Sequence, residues 1–523
     1  MSASAPPWPP AVGVPAPWAG GPPLPAKTAA PPCAAEVADS LGGPLGLGAA
    51  LVAGAASVPV RFWVVDNSGS MAAPDGARLV QDGRGSYRRV AATRWEELRE
   101  TVLAQARLAS ALRARLDIHL LNPPRGGRQF LSLDGAGGGS GGLPAAGPPS
   151  SLRDLEAALA SGPSGSTPLT EAVVTIQSLL EGAAPQMAAT GAAAVVVLAT
   201  DGLPNDPDGF VRALQSLQAL RCVWVVVRLC TDSPEVLEYW NGLDGQLEAP
   251  LEVLDDAAAE AAEVQAVNRW LTYGLPLHSA RESGLRHKLF DLLDEAPFIG
   301  SQIAEMASLL LGLEPPLPNP DADWLGFQAR LGVALATTAP TYCPLANAPL
   351  PWVDLPALRS RFGGSVRRSW FSPAEDGRLA ASAELSGPPR HSGAGGLRVS
   401  FSAAHLHWPT WFTKPAPFLA VSAAAGNGRL CLLGHTAALP GAREPAWAPL
   451  YLRDADLRRW DAGARLRLHV LNFEADHAHR VLGWIDTSAG DLAAGALTKG
   501  AALVGPDGRA TRGRLTAVAE PLR

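Results

Sequence analysis

The sequence predicts an α/β chain: a mostly parallel sheet covered by helices on both faces, then a helical segment and a C-terminal β-sandwich. Three observations lead there. Apolar runs of strand length at 58–65, 116–121, 193–200, 221–229 and 251–254 alternate with helical patterns at 93–115, 152–160, 168–181, 209–220, 234–241 and 257–271. Such alternation builds βαβ units. Beyond residue 393 the periodicity falls to two, with strand-like runs at 397–401, 417–421, 430–433 and 466–471 between turn clusters, the pattern of a sandwich. The chain has 523 residues, 47% hydrophobic and 18% charged, so it has apolar surface enough for several cores.

The run at 58–65 is nearly continuous in apolar residues, as expected of a strand buried on both faces. A short strand is expected at 129–133, and helices at 279–313 precede a looser stretch at 320–372. The domain boundaries that follow are a Pro/Ala/Gly-rich disordered tail at 1–57, which includes Trp8 and Trp18, and the α/β domain at 58–272. A helical and irregular connecting region at 273–390 and the sandwich at 391–523 complete the chain. The glycine run at 135–142 reads as a flexible surface insertion. Aromatic residues at 239–245 and 268–273 read as core packing, and Arg281, Glu282 and the acidic stretch 291–295 as solvated helix faces.

A net charge of −6 with a pI near 6.0 leaves no basic footprint for nucleic acid. Five cysteines, Cys33, Cys222, Cys230, Cys343 and Cys431, form no CxxC pair, which points to neither zinc nor a disulfide framework and suits a reduced cytoplasmic protein. The N-terminus lacks the basic and apolar regions of a signal peptide, and the apolar stretch 41–58 is broken by Gly and Pro, so no membrane span is expected.

Asp66, Ser68 and Ser70 stand at alternate positions directly after the first buried strand. In an open α/β sheet, ligands bind outside the carboxyl ends of the strands. Asp201 follows the run 193–200 on the same expected edge, and Thr167 stands where a helix N-cap would sit, with Pro168 in the first turn. Two carboxylates and three hydroxyls form a set of hard oxygens without His or Cys, which suits magnesium. Singly, each has a plain structural reading as a turn former or cap. Together, in this order and at these strand ends, they point to a metal site.

These residues resemble the metal-ion-dependent adhesion site of the von Willebrand factor A (VWA) family, of form DxSxS, then Thr, then Asp. The resemblance covers roughly 58–272 and implies a Rossmann-like domain. It also implies that Ser68, Ser70 and Thr167 coordinate Mg²⁺ or another divalent cation directly, with Asp66 and Asp201 acting directly or through water. A carboxylate from a protein partner would then fill the remaining position.

The C-terminal part resembles a C2 domain of the copine type. Lys414 to Leu419 (KPAPFL) matches one element, Glu444 to Pro449 (EPAWAP) a second, and 468–483 a third. Calcium-binding members concentrate aspartates in apical loops, whereas here Ala416 stands in the first loop and Asn472, Glu474, Asp476 and Arg480 in the third. Calcium takes 6–8 oxygens, so a calcium-independent C2-like module is expected. Trp408, Trp411 and Phe412 read as sandwich filling or, if exposed, as membrane-interface residues. The pairs His405/His407 and His477/His479 lack the partners of a metal site.

The expected function is an intracellular protein-interaction module that binds a partner's carboxylate through Mg²⁺, joined to a C2-like docking module. Copine-like peripheral membrane recruitment is the alternative. A metal-dependent hydrolase is a third reading; it finds no general base, no GxxxxGK[ST] loop and no kinase signature, so no enzyme activity is expected.

Overall fold

The computed structural model describes residues 32–81, 87–134, 145–244, 247, 251–363, 395–408, 415–424, 429–458, 463–474 and 479–522. Trp8, Trp18, the glycine run at 135–142, Trp411, Phe412, Lys414, Asp476 and His477 lie outside the described residues.

Six strands form the first sheet, in the order Phe130–Leu133, Arg115–Leu120, Val60–Val65, Ala194–Thr200, Val223–Leu229, Leu251–Leu254. Five are parallel, and Phe130–Leu133 runs antiparallel at one edge. Every residue of Val60–Val65 and of Ala194–Thr200 is buried, because side chains alternate between two covered faces. Phe62, Val64, Val196 and Leu198 pack on one face with the helices Leu169–Glu181 and Pro207–Gln218. Trp63, Val65, Val195 and Val197 pack on the other with Arg94–Ala111 and Leu152–Leu159.

A hairpin that the sequence pattern does not reveal, Gly76–Gln81 with Tyr87–Ala92, lies between the first strand and the helix Arg94–Ala111. Its strands pair only with each other, so no apolar run marks them. Gly76 packs tightly under the following helix: a Cβ there would stand 2.7 Å from the Thr93 carbonyl oxygen.

The expected tail ends earlier than residue 57. Ala34–Leu41 and Leu45–Ala55 are helices, and Val37, Leu47 and Leu51 enter a core shared with Leu277, Leu310 and Phe327. The glycines that read as tail composition serve close packing here: a Cβ on Gly46 would stand 2.1 Å from the Leu309 carbonyl oxygen, and one on Gly48 2.4 Å from that of Ala34. Among the described residues, no single helix is long and apolar enough to cross a membrane.

The connecting region is likewise more ordered than expected. The helices Leu275–Glu282, Gly300–Leu311, Trp324–Thr337 and Leu355–Phe362 share this core, which also takes Phe418, Ala420, Leu432 and Leu471 from the C-terminal part.

The C-terminal part is one curled antiparallel sheet of eight strands rather than two separate ones. Its order is Leu430–His435, Pro417–Ala424, Arg465–Asn472, Arg480–Ser488, Ala501–Val504, Ala510–Pro521, Gly396–Ala404, Leu450–Arg453. A single Cα pair, Trp484 with Val504, joins Arg480–Ser488 to Ala501–Val504. At that thin seam the sheet folds over, so that Leu419, Leu468 and Val470 from one half meet Val399, Phe401 and Leu515 from the other, as in a sandwich.

Leu47→Ala and Leu51→Ala are each expected to cost about 2–5 kcal/mol, the usual cost of a cavity in a closed core. Urea unfolding of the full chain measures this, and a cost near zero for both would show that the N-terminal helices contribute nothing to the core.

Candidate metal centre

The chain order of the first sheet reverses between Val60–Val65 and Ala194–Thr200, which are neighbours although distant in sequence. At this switch point the loops that leave the two strands diverge, so a crevice opens at the carboxyl edge. The Asp66 amide still donates to the Ala199 carbonyl at 2.9 Å, after which the chain turns away.

Four of the five expected site residues form one hydrogen-bonded chain in that crevice. Asp66 Oδ1 accepts from the Ser68 amide at 2.8 Å, and its Oδ2 accepts from Thr200 Oγ1 at 2.6 Å. Ser68 Oγ and Ser70 Oγ are 3.0 Å apart, and Ser70 Oγ donates to Asp201 Oδ1 at 2.8 Å. Ser70 gives its proton to Asp201, the Ser68 hydroxyl stands within reach of both Ser70 Oγ and the Asp66 carboxylate, and both serine oxygens keep lone pairs for a cation. Ser68 stands at the N-cap position of the short helical turn Gly69–Ala72, where its carbonyl accepts from the Met71 amide at 3.3 Å while its side chain makes no cap bond.

Thr167 comes from a third loop. The helix starts one residue later than expected: Pro168 holds the cap position of Leu169–Glu181, so Thr167 is not an N-cap. Its backbone pairs with Asn205 through Thr167 N to Oδ1 at 3.2 Å and Asn205 N to the Thr167 carbonyl at 3.2 Å. Thr167 Oγ1 stands 4.0 Å from where a Cβ on Gly202 would lie, beside the Asp201 turn.

Three residues that sequence reasoning passed over hold the loops. Asn122 ties two loops to its own: its amide donates to Asn67 Oδ1 at 2.8 Å, its carbonyl accepts from Asn67 Nδ2 at 2.9 Å, and its Nδ2 donates to the Ser166 carbonyl at 2.8 Å. Trp240 Nε1 donates to the Gly202 carbonyl at 3.3 Å from a fully buried ring. Arg94 Nη1 donates to Asp201 Oδ2 at 2.9 Å while its Nε and Nη2 grip Asp75 at 2.7 and 2.5 Å. The Thr93–Glu96 capping box sets Arg94 at the first helical position and so aims it at the crevice. The box is legible in sequence, but the target of Arg94, 107 residues away, is not.

Asp66 and Asp201 are both buried. Burial pushes the Asp66 carboxyl above its ordinary range and the Asp201 charge adds to that, against hydrogen bonds from Thr200 and Ser68 that lower it. Arg94 supplies one positive charge on the far oxygen of Asp201. A divalent cation would fit the rest: two carboxylates and three hydroxyls are hard oxygens in a partly closed crevice.

The structure corrects the solvated-face reading for Arg281 and Glu282, whereas Asp291 and Glu295 are exposed as expected. Arg281 and Glu282 are 3% and 2% exposed because the helix Leu275–Glu282 is pressed into the core shared with the sheet. Arg281 pairs with Glu252 at 3.0 Å, Glu260 at 2.6 Å and Asp294 at 3.1 Å, and Glu282 with Arg228 at 3.4 Å. Glu260, Glu263 and Asp294 have oxygens within 4.8 Å of one another, so they too offer a cation oxygen ligands, with Arg281 already among them. Burial, only partly offset by this one guanidinium, pushes Glu260 up to about 7.

In the C-terminal sheet, Asn472 Oδ1 accepts from the Ala416 amide at 2.9 Å and its Nδ2 donates to Glu474 Oε1 at 2.9 Å. The third loop is thus tied to the first by a carboxamide. Trp408 is half-buried against the sandwich core. Trp447 Nε1 donates to the Pro417 carbonyl at 3.2 Å, which joins the segments 444–449 and 414–419.

No family model and no curated protein matches the chain. Among solved structures, a C2 domain titled "BON1-C2B" is 19% identical and covers 24% of this chain and 92% of that one, with a TM-score of 0.23. "Crystal structure of manganese-loaded Plasmodium vivax TRAP protein" is 16% identical and covers 38% of this chain and 69% of that one, with a TM-score of 0.24. Neither likeness carries the functional reading, which rests on the site.

Asn122→Ala is expected to weaken Mg²⁺ binding about 10-fold or more by freeing the loops that hold Asn67 and Ser166; unchanged affinity in calorimetric titration would remove Asn122 from the site's support. Between pH 4.5 and about 7 the folded chain holds a proton on Glu260 that the unfolded chain has lost. Stability therefore falls as pH rises through that window. Glu260→Gln should shrink the fall in urea midpoint between pH 5 and pH 7.5, whereas an equal fall in both proteins would contradict the assignment.

Proposed function

We propose that the chain is an intracellular protein-interaction module that grips a partner's carboxylate through a divalent cation, Mg²⁺ by preference, held by Asp66, Ser68, Ser70, Thr167 and Asp201. The observation that carries this is the hydrogen-bonded chain from Thr200 through Asp66, Ser68 and Ser70 to Asp201 and Arg94. It points hydroxyl protons toward a carboxylate and leaves oxygen lone pairs in the crevice. A cation bound largely by neutral hydroxyls stays electrophilic, so it can hold an anion from outside. The resemblance to the VWA family's adhesion site supports the same assignment, residue by residue.

The reading is of a clamp and not an enzyme. The lack of a GxxxxGK[ST] loop and of a kinase signature in the sequence supports the clamp over an enzyme. Five free cysteines, four of them buried, support a reduced compartment such as the cytoplasm. The C-terminal sheet acts in this reading as a calcium-independent docking module, since Asn472 is already engaged with Ala416 and Glu474. Copine-like membrane recruitment would need aromatic residues at the surface; among the described residues of that loop, Trp408 is half-buried against the core.

Titration of the full chain with Mg²⁺ is expected to show one saturable site that Asp66→Ala and Asp201→Ala each abolish, with the far-ultraviolet spectrum unchanged. Retained affinity in both variants, or no binding by the wild type, would overturn the assignment.

A further inference from the structure

The opposite end of the same central strand holds a buried cation that pairs with no carboxylate among the described residues. Arg61, the second residue of Val60–Val65, is 3% exposed. Its Nε donates to the Ser283 carbonyl at 2.9 Å and its Nη1 to the Val58 carbonyl at 3.4 Å. Of five N–H donors two are thus used, and among the described residues no carboxylate forms an ion pair with it. The contrast with Arg228 and Arg281, which are equally buried and paired with two and three carboxylates, is plain. Burying a charge without a counter-charge is costly, and proteins rarely leave one so. Burial here pushes the Arg61 guanidinium down to about 10, with no neighbouring charge to oppose it.

Arg61 lines a cavity of about 540 Å³ between the helices Leu45–Ala55 and Gly300–Leu311. That volume lies within the ~300–1,000 Å³ typical of small-molecule sites. Its walls are apolar: Leu51, Val58, Leu285, Leu309 and Leu313. The other charged or titratable groups on it are Arg286, His287, Glu305 and Glu314, and all are more exposed than Arg61. At the surface the two glutamates outnumber Arg286 by one, and Arg61 is the one fully buried charge on the cavity.

We propose that this cavity binds a small amphipathic anion, an alkyl chain ended by a carboxylate or phosphate, with the head group on Arg61 and the chain along the leucine wall. The guanidinium fork matches either head group, and a charge-assisted bond there would supply the counter-charge that the fold lacks. The site is separate from the metal centre, at the other end of the strand, and does not depend on a cation.

The test titrates the purified full chain calorimetrically with octanoate, octyl phosphate and, as the uncharged control, 1-octanol. One anion at least should saturate a single site and bind about ten-fold or more tighter than octanol, the weight of a hydrogen bond to a charged group. The tighter of the two identifies the head group. Arg61→Gln should lose that preference. Because Arg61 also ties two carbonyls, Ala50→Phe serves as the second variant: Ala50 lines the cavity from the helix Leu45–Ala55 and leaves the Arg61 bonds alone. It should abolish binding with an unchanged thermal midpoint. Octanol binding as well as the anions, no binding of either anion, or full binding by a folded Ala50→Phe would each overturn the proposal.

Discussion

The parallel pairing of Val60–Val65 with Ala194–Thr200 is the constraint on which the rest of the molecule depends. It sets two buried carboxylates, Asp66 and Asp201, side by side at one carboxyl edge, where water cannot dilute their repulsion. The surroundings answer that repulsion in three ways. Thr200 and the Ser68 amide hydrogen-bond Asp66, Ser70 hydrogen-bonds Asp201, and Arg94 reaches in from the start of its helix with one positive charge. Two negative charges against one positive leave room for a cation, and the loops around them are fixed in advance by Asn122 and Trp240. Preorganisation of this kind lets a site hold an ion without ordering loops at the moment of binding.

Buried charge recurs through the α/β part, and its balance differs from place to place. Arg228 and Arg281 each face more carboxylates than they can neutralise, so the helix Leu275–Glu282 is locked onto the sheet in one register by a net acidic network. Ion pairs of this sort contribute little net stability relative to apolar packing, but they penalise every other arrangement of the same elements. Arg61 is the reverse case, a cation whose partners among the described residues are carbonyls. The two ends of the central strand therefore bury opposite charges, carboxylates at the Asp66–Asp201 edge and a guanidinium at the cavity.

The strands of the first sheet were legible because both faces are covered, which forces continuous apolar runs. The hairpin Gly76–Gln81 with Tyr87–Ala92 was not, since it pairs only with itself and carries arginines rather than an apolar stripe. The helices Ala34–Leu41 and Leu45–Ala55 were hidden for a different reason. Their Ala and Gly content looks like a tail, and only the approach of Gly46 to the Leu309 carbonyl shows that small residues were needed there. In the C-terminal part the period-two pattern indicated strands, but whether they form one sheet or two depends on the single pair Trp484 and Val504, a contact that no local pattern encodes.

The sequence by itself determined which oxygens stand at the carboxyl edge, because alternate spacing after a buried strand and a short link after another are local features that the backbone must obey. Asp66, Ser68, Ser70 and Asp201 meet as that spacing requires. Only the tertiary structure decided the charge partners. Arg94 on Asp201, Arg281 among Glu252, Glu260 and Asp294, and Arg61 on the Ser283 carbonyl each depend on elements brought together across the fold. The physical reason is range: hydrogen bonds within a turn follow from neighbours in sequence, whereas the energy of a buried charge is set by whatever the packed core places beside it.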